Sequence, residues 1–153
     1  MSDARRRPAA VLEYSEDLVS ADVAPLRAFL EARIAEATVD MTEGGRAHMA
    51  LQALAAHVTM DCVDLCDCLS AWERYVAQGR AHRPGHIQAL HQDISRRWNL
   101  LCRTAEGWGD HPGHNPRWRQ LPYACAADQE FMESVLAERK GASRGPYERG
   151  AHP

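Results

Sequence analysis

Apolar side chains recur along this chain at spacings of three and four, the repeat of helices that bury one face. Leu26, Phe29, Leu30, Ile34 and Ala37 make the first row. It predicts a helix that starts near Asp22 as N-cap, with Pro25 tolerated in a first turn that needs no amide donors. Residues 42–45 close that helix, because Gly44 and Gly45 in succession favour a break. The second row is the longest: Leu51, Leu54, Val58, Cys62, Leu65, Leu69, Trp72 and Val76. Neither Gly nor Pro interrupts the stretch from Arg46 to Gln78, and Gly79 supplies the stop. At 1.5 Å per residue such a helix is about 50 Å long. Ile87, Leu90, Ile94, Trp98 and Leu101 predict a third helix over about 86–105, stopped by Gly107. Phe131, Met132, Val135 and Leu136 mark a fourth over about 125–139. A short amphipathic turn is expected at 11–18, and no run alternates with the period of a strand.

These rows predict an all-α fold, a single-domain bundle of four main helices over 11–140 with the long second helix at its centre. Residues 1–10 are expected to form a disordered arm and 141–153 a disordered tail. The loop 108–118 holds glycines and prolines that forbid regular structure, yet also Trp108 and Trp118, which argue against a free linker. An ordered cap across the bundle end is expected there. On the far flank of the long helix, Ala56, Met60 and Val63 make a second apolar patch, a candidate subunit contact.

Composition narrows the class. A hydrophobic fraction of 45% and a charged fraction of 25% belong to a globular chain. The net charge of −3 leaves no basic footprint for a phosphate backbone, so nucleic acid is not an expected partner. All but one of the 18 basic residues are arginine, a bias that reads as genome composition. No window approaches the roughly 20 apolar residues of a membrane span. The arginines at 5–7 are not followed by the apolar core of a secretion signal, so the expected location is the cytoplasm. The cysteine count of 5 is odd, and Cys62, Cys66 and Cys68 crowd one helix, which fits reduced thiols better than a disulfide scaffold.

Two groups could carry chemistry. On the long helix His57, Asp61, Asp64 and Cys68 form a polar strip beside the apolar face, with His57 and Asp61 about 40° apart and one turn along. Such a pair can share a divalent transition metal such as zinc, and His91 on the third helix could add a ligand. The plainer reading makes His57 and Asp61 a hydrogen-bonded pair at the core edge and Cys68 a small hydrophobe. The three clustered thiols cannot meet on one ion, since Cys68 points about 120° away from Cys62. In the loop, Trp108, Asp110, His111, His114 and Trp118 are candidate binding residues, with a turn-forming role as the alternative. No phosphate loop, nucleophile elbow or His-Glu-x-x-His motif occurs, so no catalytic residue is proposed.

The run LRAFLEARIAEA and the later AEGWGDHPGHNPRW resemble a family of short, uncharacterised actinobacterial helical proteins. That family opens on an L-x-x-F-L-x-A-R helix, matched at Leu26, Phe29, Leu30, Ala32 and Arg33, and closes on an Asp-His-Pro…Trp segment, matched at Asp110, His111, Pro112 and Trp118. This chain departs from it by continuing into a further helix, and the resemblance implies no activity. The expected function is a non-enzymatic helical interaction or regulatory module without a cofactor, working through a protein partner or self-association. The alternative is a small metal-binding or redox-sensing bundle that uses His57, Asp61, Cys68 and His91.

Overall fold

A computed structural model of the chain describes residues 11–79 and 84–142. After one turn of 3-10 helix at Ser15–Asp17 come α1 (Ser20–Thr38), α2 (Arg46–Gln78), α3 (Pro84–Glu106) and α4 (Ala126–Ala142). No strand occurs among the described residues, so the fold is all-α with the long α2 at its centre. The expected arm at 1–10 lies outside the described residues, as does the expected tail at 141–153 except for Gly141 and Ala142, which complete α4.

Local chemistry explains where the helices begin and end. α1 starts earlier than expected because Leu18 and Val19 are drawn into the core, at 0% and 2% exposure. Asp22 is therefore the third helical residue and not the N-cap. From there its carboxylate accepts the Val19 backbone N–H at 3.0 Å, satisfying a donor just outside the helix. α2 ends where Gly79 turns left-handed, at φ 57°, with its N–H on the Val76 carbonyl. Pro84 opens α3, the position where a missing N–H costs nothing.

The core lies where the rows of α1, α2 and α3 face one another. Leu26 and Leu30 of α1, Leu65 and Leu69 of α2, and Ile94, Trp98 and Leu101 of α3 belong to a single buried cluster. The α2 row is buried only in its middle, at Val58, Cys62, Leu65 and Leu69. Leu51, Leu54 and Trp72 are half-buried, and Val76, expected in the core, is exposed. A helix of 33 residues is simply longer than its neighbours α1 and α3, of 19 and 23.

The chain after α3 is stitched back onto it. The Trp98 indole N–H donates to the Arg119 carbonyl at 3.1 Å, and the Asn99 amide exchanges two hydrogen bonds with the Leu121 backbone, at 2.8 and 2.7 Å. Ser15 N–H donates to the Ala124 carbonyl at 3.0 Å, joining the 3-10 turn to the same segment. α4 then leaves. Tyr14 donates to Gln129 and Gln88 to Asp128 (3.0 Å) at its first turns. Beyond that, no Cα of another described helix comes within 8 Å of it.

Candidate functional site

The polar strip of α2 faces α3, and an arginine occupies its centre. Arg97 Nη1 lies 3.0 Å from Asp61 and 2.9 Å from Asp64, while its Nε is 3.5 Å from Asp93 on its own helix. Cys68 Sγ donates to Asp93 Oδ2 at 3.6 Å. A hydrogen bond from Arg96 lowers the Asp93 carboxyl below its ordinary value, with burial opposing and the Arg97 charge assisting. The strip is thus an inter-helix ion cluster with its cation built in. Arg97 escaped the sequence reading, although its place one turn after Asp93 was a visible pairing signal.

His57 and Asp61 do not pair: Asp61 turns to Arg97, and His57 is exposed with no partner among the described residues. His91 lies elsewhere, 1% exposed. Its Nδ1 is 2.8 Å from Ser15 Oγ, and its ring stands edge-on to Trp72 with centroids 4.3 Å apart. Ser15 gives its hydroxyl proton to the Ala124 carbonyl at 2.5 Å, so Oγ accepts from His91 and the proton sits on Nδ1. The expected metal set of His57, Asp61, Cys68 and His91 therefore does not converge. Among the described residues no three His, Cys, Asp or Glu side chains are grouped to hold a metal ion.

The thiols are arranged as packing groups. Cys62, Cys102 and Cys125 are buried, Cys66 and Cys68 half-buried, and all five are free. Burial pushes Cys62 up to about 11 and raises Cys66, Cys68 and Cys102 as well. A thiol held protonated at neutral pH is a poor nucleophile and a poor redox sensor.

The loop 108–118 is the ordered cap that its composition predicts. Successive turns are closed by His111 N–H to Trp108 O (3.0 Å), His114 N–H to His111 O (2.8 Å) and Trp118 N–H to Asn115 O (2.9 Å). Phe29 of α1 is its anchor: His111, His114 and Trp118 surround that ring at centroid distances of 5.6, 5.8 and 4.9 Å. Gly113 permits the close approach, since a Cβ there would come within 3.2 Å of the His111 ring. The Gly113 N–H and the Arg33 guanidinium address the two nitrogens of His111, and a neutral imidazole can accept from only one of them at a time. Trp108 packs against the core and Asp110 is exposed. The five loop residues thus divide into four that hold the cap and one, Asp110, that faces solvent. A cavity of about 450 Å³ opens elsewhere, between Tyr14, Arg119, Pro122, Tyr123 and Gln129.

Several large apolar side chains face outward. On α4 Phe131, Met132 and Leu136 are 65%, 44% and 46% exposed, and on the outer side of α2 Met60 and Val63 are 63% and 47% exposed. No described helix is long and apolar enough to cross a membrane. No family model, curated protein or solved structure matches the chain.

Proposed function

We propose that the chain is a helical interaction module that acts by contact with a protein partner or a second copy of itself, without catalysing a reaction. The observation that carries this reading is α4, a helix of 17 residues with Phe131, Met132 and Leu136 turned outward and no other described helix beside it. Most helices in proteins draw their stability from tertiary packing of an amphipathic face, and α4 has no other described helix to pack against. Contiguous exposed apolar groups flanked by charge mark contact surfaces. The outer row of α2 at Met60 and Val63 supports the same reading. The groups that could have carried chemistry are engaged with one another: Asp61 and Asp64 with Arg97, His91 with Ser15, His111 and His114 with Phe29. A cytoplasmic setting accords with five free cysteines.

Light scattering and sedimentation of the full chain across a concentration series test the proposal. Mass is expected to rise with concentration, or a complex to be recovered by cross-linking in the host, and Phe131→Glu or Met60→Glu to diminish it. A strict monomer at millimolar concentration that recovers no cross-linked protein would refute it.

A further inference from the structure

Independently of that reading, we infer that the cavity between the 3-10 turn and residues 119–123 binds a small zwitterion, an α-amino acid with an aromatic side chain. Its volume of about 450 Å³ falls within the roughly 300–1,000 Å³ of ligand pockets. One wall is the approach to the 3-10 turn, with Glu13 and Tyr14, and the other is the segment that carries Arg119 and Tyr123.

Both walls are fixed by hydrogen bonds within the fold. The Asp17 carboxylate accepts the N–H groups of Glu13 and Tyr14 at 2.9 and 3.0 Å, and the next residue, Ser15, is tied to the Ala124 carbonyl. Across the cavity the Arg119 carbonyl accepts the Trp98 indole N–H, and Asn99 holds the Leu121 backbone. A pre-formed cavity spares its ligand the cost of ordering the site.

The walls differ in charge. Burial, and then the carboxylates of Glu13, Glu133, Asp17 and Glu130, raise the Tyr14 phenol above its ordinary value, so that side is acidic. The opposite wall carries the Arg119 guanidinium. Neither the Glu13 carboxylate nor the Arg119 guanidinium bonds another described residue, and the two do not pair with each other. An anion alone would meet the carboxylates around Tyr14, and a cation alone would meet the guanidinium. An ammonium and a carboxylate carried on one carbon satisfy both walls, each through a charge-assisted hydrogen bond. Leu12, which is 3% exposed, and the rings of Tyr14, Pro122 and Tyr123 give an aromatic side chain its apolar surroundings.

The test is a titration of the isotope-labelled full chain, followed by amide shifts, with L-phenylalanine and two analogues that each lack one charge. Phenethylamine has no carboxylate and phenylpropionate no amine. Phenylalanine is expected to shift the amides of Tyr14 and Gln120, and each analogue to bind at least about tenfold more weakly. Arg119→Gln should weaken phenylalanine by about tenfold and leave phenethylamine within about threefold. Glu13→Gln should likewise weaken phenylalanine while sparing phenylpropionate. Both substitutions are at exposed positions, and unchanged core amides show that each variant is folded. Silence from all three probes at millimolar concentration overturns the inference. An analogue that binds as tightly as phenylalanine does the same, as does phenylalanine binding that neither variant weakens. Light scattering reads association with protein separately, so failure here leaves the interaction reading standing.

Discussion

At Asp22 a single carboxylate joins two distant pieces of chain. One oxygen accepts the Val19 N–H at the mouth of α1, and the other lies 3.0 Å from Arg117 in the capping loop, with the side chain only 7% exposed. Removing it deletes a cap and leaves Arg117 without that carboxylate. Asp22→Ala should therefore cost about 2 kcal/mol in urea denaturation, and Asp22→Asn, which keeps an acceptor for Val19, distinctly less. Equal losses for the two would mean that the charge pair and not the cap carries the effect. The residue type was legible as a helix-start signal, but its position was not, because burial of Leu18 and Val19 sets the first turn. His91 makes the same point. Its place at the border of an apolar row was readable, yet its partner Ser15 is 76 residues away, and no local pattern announces that meeting.

Between elements, the α2–α3 contact combines an apolar row with the Arg97 ion cluster beside it. The cluster gives the contact a defined pH response. Because the Asp93 carboxyl is lowered in the fold, chiefly by Arg96, the unfolded chain binds the proton more readily. Its contribution to stability is fully present above the ordinary carboxylate value of about 3.9 and is lost as pH falls through the lower folded value. The stability difference between the parent and Asp93→Asn should accordingly be flat from pH 7 to about pH 5 and shrink towards pH 3, as measured by urea midpoints. Parallel profiles down to pH 3 would remove Asp93 from the account. The strip is legible in the sequence as polar residues along one side of a helix. Its meaning was not legible, because a carboxylate at i+4 from a histidine looks the same whether a metal or an arginine of another helix completes it.

For the molecule as a whole, α1, α2 and α3 share one buried cluster while α4 stands away from it. Stability should divide in the same way. Amides around Leu65, Leu69, Ile94 and Trp98 are expected to exchange hydrogen most slowly, and those of α4 beyond Gln129 quickly in dilute solution. Raising the protein concentration should slow exchange in α4 selectively. Slow exchange in α4 at high dilution would show that it is stabilised within its own chain.

Helix number, the unbroken length of α2, its glycine stop and the ordered character of the tryptophan loop all follow from local composition and periodicity, because backbone geometry and apolar spacing act over one or two turns. Which polar groups meet is a matter of folding. Asp61 and Arg97 are 36 positions apart, and Arg117 and Asp22 are 95. The fourth apolar row shows the limit most plainly. Spacing makes Phe131, Met132, Val135 and Leu136 one face of a helix, but only the packing of the other three helices determines that this face has no neighbour among the described helices.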